Sequence, residues 1–66
     1  MDKQKILDIC NSVDSYVAKE LTESITTGAS YDALEARYGI IPISRRSFYR
    51  RRKEVKRIIQ QMEMKT

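Results

Sequence analysis

Apolar residues recur through the first third of the chain at Ile6, Ile9, Cys10, Val13, Tyr16, Val17 and Leu21, spacings that follow the 3.6-residue turn of an α-helix. The pattern predicts one amphipathic helix from Asp2 to about Ser24, the longest element of the chain. Leu7 and Tyr16 widen its apolar arc on either side, enough to cover neighbouring helices and a second subunit, with the closing of a three-helix core as its main use. Asp2 suits the positive end of the helix dipole. Thr26, Thr27 and Gly28 then break the pattern. A second helix of about two turns is predicted from an N-cap at Ser30, with Asp32 and Glu35 early and Ala33, Leu34, Arg37 and Tyr38 following, to a C-terminal stop at Gly39. The connection from Gly39 to Ser44 reads GIIPIS. Pro42 disfavours helix at Ile41, and Ile40, Ile41 and Ile43 are too apolar for a free loop, so all three are expected to plug the core.

The third helix starts from Ser44, a predicted N-cap bonding the backbone N–H of Arg46 or Ser47, and runs until the pattern frays at Lys65 and Thr66. At about 100° per residue, Phe48, Val55, Ile59 and Met62 share one side, with Ile58 at its edge. Arg46, Arg50, Lys53 and Arg57 form a narrow stripe on the other. Between Ser44 and Arg57 the segment carries eight basic residues against one acid, Glu54. A charge run is ordinarily no more than a solvated face, but two opposed stripes describe a helix with one side for a core and one for a polyanion. Arg45 and Arg46 also oppose the helix dipole, a small cost that fits a binding role.

Composition sharpens this reading. Sixty-six residues hold one domain at most, with a thin core. A single cysteine and the absence of histidine exclude an internal disulfide and histidine catalysis, and nothing clusters as metal ligands, so no cofactor, metal or catalytic residue is expected. The chain is therefore not read as an enzyme: acids are scattered, no nucleophile sits beside a base, and there is no glycine-rich phosphate loop. Cys10 is expected to be a buried small hydrophobe, with an intermolecular disulfide as the alternative. The net charge of +4 conceals an asymmetry. Residues 1–36 carry three bases and seven acids, net −4, and residues 37–66 ten bases and two acids, net +8. The basic end would attract nucleic acid or anionic lipid. Neither a membrane span nor a signal peptide is evident, and the chain as given is expected to be soluble.

Long helix, short helix, connection and basic helix is the order of helix-turn-helix domains, so the expected fold is all-α, a three-helix helix-turn-helix domain over residues 1–66. The run from Ser47 through Phe48, Tyr49, Arg50, Arg51, Arg52 and Lys53 resembles the recognition-helix core of homeodomains. The resemblance implies a core role for Phe48, the paired-arginine positions for Arg51 and Arg52, and groove-facing positions for Arg46, Tyr49, Arg50 and Lys53. Ser47 stands where homeodomains keep a buried tryptophan, and Arg50 where they keep an adenine-reading asparagine. The connection is longer than a tight helix-turn-helix turn, and the basic N-terminal arm is lacking. The whole chain resembles more closely the homeodomain-like C-terminal domain of the membrane-anchored replication-organising proteins of phi29-type Bacillus phages. That resemblance implies a viral, early-expressed domain that binds DNA with little sequence preference. It implies a homodimer or higher multimer, contacts with other phage replication proteins, and a place in the host cytoplasm at the membrane. The anchor and coiled coil of that family would lie outside this sequence.

The leading expectation is non-sequence-specific binding of DNA, double- and also single-stranded, organising replication. Arg46, Arg50, Lys53 and Arg57 would contact phosphates, with Arg37, Arg45 and Lys56 at the rim. Tyr49 would either stack on a base or bond a phosphate, or simply cover the helix junction. The alternatives are a sequence-specific repressor and a basic protein-interaction or oligomerisation module. Arg51 is expected to pair with Glu20 or Glu23. Arg52 has no evident partner: either its stem packs along the apolar edge, or it sits within a self-association surface with Val55, Ile58, Ile59 and Met62. In the second case its charge would weaken dimerisation.

Overall fold

The computed structural model describes residues 2–64, and these form four α-helices and one short 3₁₀ turn, with no strand among them. α1 spans Lys3–Val13, the 3₁₀ turn Ser15–Val17, α2 Ala18–Thr27, α3 Tyr31–Tyr38 and α4 Arg45–Met64. The fold is all-α as expected, but the long first helix is in fact two.

The break lies at Asp14, whose backbone is extended at φ −161° and ψ 101°. Its N–H closes α1 on the Cys10 carbonyl at 2.8 Å, and its carboxylate accepts the N–H of Tyr16 at 3.1 Å, capping the 3₁₀ turn. The surrounding Asn11, Ser12 and Ser15 are residues that trade helical bonds for local side-chain ones, and the Ser12 hydroxyl does so on Ile9 at 2.7 Å. A continuous helix would hold Ile6 and Leu21 about 22 Å apart at 1.5 Å per residue. With the break, α1 packs on both α2 and α4, and both residues enter one core. Tyr16, assigned to the apolar arc from its spacing, is instead 86% exposed on the 3₁₀ turn. Leu7 is half-buried against the core.

α2 ends at Gly28, whose positive φ of 78° lets its N–H reach the Ser24 carbonyl at 2.9 Å. Beneath it the buried Ser24 hydroxyl donates to the Ala29 carbonyl at 2.7 Å, satisfying the turn from inside. A Cβ at Gly28 would meet nothing within 4 Å, so alanine there pays only for backbone conformation. Gly28→Ala is expected to cost about 1 kcal/mol, and a thermal melt should fall by roughly 4–8 °C.

α3 is capped as expected: Ser30 accepts the Ala33 N–H at 3.2 Å, and Gly39, at φ 92°, donates to the Glu35 carbonyl at 2.9 Å. The connection departs from expectation at one residue. Ile41 is buried and Ile43 packs partly on the core, but Ile40 is 90% exposed. In extended chain, neighbouring side chains point opposite ways, so turning Ile41 inward turns Ile40 out. The Tyr31 hydroxyl fixes the segment by donating to the Ile43 carbonyl at 2.7 Å.

Ser44 caps α4 by accepting the N–H of Ser47 at 3.2 Å. Twenty residues give this helix a length of about 30 Å, which accounts for most of the 38 Å long axis. Phe48 and Val55 are fully buried, with Ile58 and Ile59 partly so. Beyond them Met62 and Met64 are exposed, and the fraying expected at Lys65 and Thr66 lies outside the described residues. Cys10 is completely enclosed, and burial pushes its thiol pKa up although the Thr22 hydroxyl opposes this. It is a core residue, out of reach of any partner thiol. Among the described residues no helix is long and apolar enough to cross a membrane.

Candidate nucleic-acid interface

Phe48 fixes the rotation of α4, and with it the direction of every charge the helix carries. Its ring meets Tyr31 edge-on at 5.5 Å and Tyr49 edge-on at 5.7 Å, so α3 and α4 are locked through three aromatic rings. The face opposite Phe48 must then point to solvent. Arg46, Arg50, Lys53 and Arg57 are all exposed on it, along about 16 Å of helix at 1.5 Å per residue.

The acids sort the basic residues into two sets. Arg57 bonds Glu54 one turn back at 2.8 Å, Arg37 bonds Glu23 at 3.1 Å, and Arg45 bonds Asp32 while lying 5.6 Å over the Tyr31 ring. Arg46, Arg50, Lys53 and Lys56 form no ion pair among the described residues. The stripe is therefore exposed on one face, with its unpaired charge in the N-terminal half of α4. Two of the three expected rim residues, Arg37 and Arg45, are already neutralised by surface pairs, each of which is individually weak and exchangeable.

Tyr49 stands at the edge of the stripe and does cover the helix junction: its hydroxyl oxygen accepts the Tyr31 N–H at 3.0 Å, satisfying a free donor of the first turn of α3. The ring is 37% exposed and its hydroxyl hydrogen is uncommitted in this bond, so a phosphate oxygen could still be bound there.

Arg51 pairs neither with Glu20 nor with Glu23. Its Nε donates to Asp14 at 3.2 Å, because the break after α1 carries that carboxylate to the side of α4. Glu23 is taken instead by Arg37 and by the Tyr38 hydroxyl at 2.5 Å. The Tyr38 bond foremost, then the charges of Arg37, Lys3 and Lys19, hold the Glu23 carboxyl below its usual range against desolvation, and the same bond raises the Tyr38 hydroxyl.

Among the residues expected at a self-association surface, Val55 is fully enclosed in its own core and offers nothing to a partner. Ile58 and Ile59 are half-buried, and Met62 is more open. Arg52 is half-buried too; its Nε is enclosed with no hydrogen-bond partner, while its guanidinium lies 6.0 Å from the Tyr49 ring centroid. The guanidinium thus lies over an aromatic ring with its Nε enclosed, which neither of the two expectations described. No family model, curated protein or solved structure is significantly similar to the chain.

Proposed function

We propose that the chain is a homeodomain-like DNA-binding domain that contacts phosphates through the exposed face of α4 with little dependence on sequence. The observation that carries this reading is the set of Arg46, Arg50, Lys53 and Lys56, four exposed cations that form no ion pair among the described residues, on a helix whose core side is anchored by Phe48 and Val55. Asp32, Glu23 and Glu54 serve Arg45, Arg37 and Arg57 instead; like charges spaced along one helix repel one another in the free protein, and a polyanion relieves that repulsion. An α4 of about 10–12 Å diameter suits a major groove about 12 Å wide. Arginine at position 50, with no amide side chain along the stripe, favours phosphate contact over adenine readout.

Salt titration tests this. Binding to several unrelated duplexes should weaken with salt in parallel, with a log-log slope for about four to six phosphates at roughly 0.9 each. One retained high-affinity site would instead indicate a repressor, and no binding to duplex or single strand a protein-interaction module. The resemblance to phage replication organisers supports a role in tethering replicating DNA, with homodimers or higher multimers as the working form and an anchor supplied by a segment beyond this sequence.

Arg52 bears on that multimer. Its half-buried side chain lies over the Tyr49 ring, where leucine would extend the apolar edge and remove one repulsive charge from each subunit. Arg52→Leu is expected to tighten self-association by about tenfold, equivalent to roughly 1.4 kcal/mol. Sedimentation over a concentration series reads this directly, and equal or weaker association would remove Arg52 from any interface.

A further inference from the structure

Away from α4, a groove of about 520 Å³ opens between α1, α2 and the end of α3. That is within the roughly 300–1,000 Å³ of ordinary ligand sites. Leu7 and the buried Thr22 form its floor, Tyr38 one wall, and Lys3, Gln4 and Lys19 its rim, with Glu23 between. Its charge contrasts with its surroundings. The first 36 residues are net acidic, yet the acid within the groove, Glu23, is already met by Arg37 and by the Tyr38 hydroxyl. Lys3 and Lys19 are left without an ion pair among the described residues, Lys19 resting 4.9 Å over the Tyr38 ring. Lys3 also occupies the first turn of α1, where the helix dipole disfavours a cation.

The groove therefore combines an apolar floor, hydrogen-bond acceptors with spare capacity and two cations, Lys3 and Lys19, that act on Glu23 from a distance but close no ion pair among the described residues. Each Glu23 oxygen accepts one bond and can accept another, and Gln4 gives its amide N–H to Asp8 at 3.0 Å, leaving its carbonyl oxygen open. A peptide supplies all three complements: an apolar side chain, carboxylates and backbone N–H donors. A nucleic-acid strand has neither a backbone N–H nor an aliphatic side chain to give. We propose that this groove docks an acidic peptide segment of a partner protein, one large apolar side chain seated over Leu7 and the flanking carboxylates held by Lys3 and Lys19. The domain would thereby engage a protein on α1 and α2 while α4 stays free for a polyanion.

The test is a titration of the whole chain, followed by amide chemical shifts at 0.15 M salt. The probe is a blocked peptide of two glutamates, a leucine, a phenylalanine and two glutamates. Binding with Kd below about 1 mM, corresponding to roughly −4 kcal/mol, is expected, with the largest shifts at Leu7, Lys19, Thr22, Glu23 and Tyr38. Lys3→Glu combined with Lys19→Glu should weaken it at least tenfold. Lys3→Gln with Lys19→Gln, which leaves the surface uncharged there, should weaken it less, and circular dichroism should show both variants folded. A peptide with alanines for the leucine and phenylalanine should lose binding comparably. Shifts confined to α4, unchanged affinity after charge reversal, or no binding would overturn the proposal. So would an oligothymidylate that shifts the groove residues more than the peptide does. Duplex-DNA affinity measured on the same variants should stay within about twofold, which separates this site from the one on α4.

Discussion

Replacing Arg46, Arg50 and Lys53 together by alanine is expected to lower affinity for duplex DNA by about two to three orders of magnitude at 0.1 M salt. Each neutralised phosphate contributes roughly 0.9 to the log-log slope, about eightfold in affinity at that salt, so three contacts compound to several hundredfold. The slope itself should fall by about 2.7. The fold should survive, because the three side chains are exposed, make no ion pair among the described residues and oppose one another. Alanine is also the best helix former. Arg37→Ala and Arg45→Ala should each weaken binding far less, since those arginines are held by Glu23 and Asp32 and must exchange one anion for another. Fluorescence anisotropy at three salt concentrations decides it: an unchanged slope in the triple variant would put the DNA on another surface.

How far the sequence reached can be judged from the same helices. α4 was readable because its basic stripe from Arg46 to Arg57 and its apolar stripe from Phe48 to Met62 both keep the helical period, and Phe48 fixes which faces inward. α3 was readable because Ser30 and Gly39 bracket it with opposite capping chemistry. The division of the first helix was not, because a single 3₁₀ turn barely disturbs the spacing: Val13, Val17 and Leu21 stay four apart across the break. Only Asp14 within a run of poor helix formers signalled it, and such residues also occur on the solvated faces of unbroken helices. Partner choice was hidden for a related reason. Arg51 meets a carboxylate 37 positions away, and that meeting depends on the chain reversing at Asp14. The outward turn of Ile40 is not legible in the sequence, because apolar composition says that a segment packs but not which of two adjacent side chains does so.

Asp14→Ala should be the most destabilising single change among the polar residues of this fold, by about 2 kcal/mol. One carboxylate serves two elements: an oxygen caps the 3₁₀ turn at the Tyr16 N–H, and the other accepts the Nε of Arg51. Loss of the cap costs about 1 kcal/mol on its own. The ion pair adds less than a buried one would, because the Arg51 side chain is 42% exposed and screened, although that of Asp14 is only 14% exposed. Removing the acid also leaves Arg51 facing the apolar side of α4 with no counter-charge. For a domain of this size the melting temperature should fall by roughly 8–16 °C. Asp14→Asn separates the parts, since its carbonyl can still cap the turn while the charge is gone, and it should cost about half as much. A double-mutant cycle with Arg51→Ala should return a coupling of about 0.5–1 kcal/mol; a coupling near zero would mean that the cap alone holds the break. DNA binding distinguishes this pair from the phosphate-facing stripe. Arg51 lies on the core side of α4, so Arg51→Ala should lower stability but leave the salt slope unchanged, whereas Arg50→Ala, its neighbour in sequence, should lower the slope by about 0.9 and leave stability unchanged.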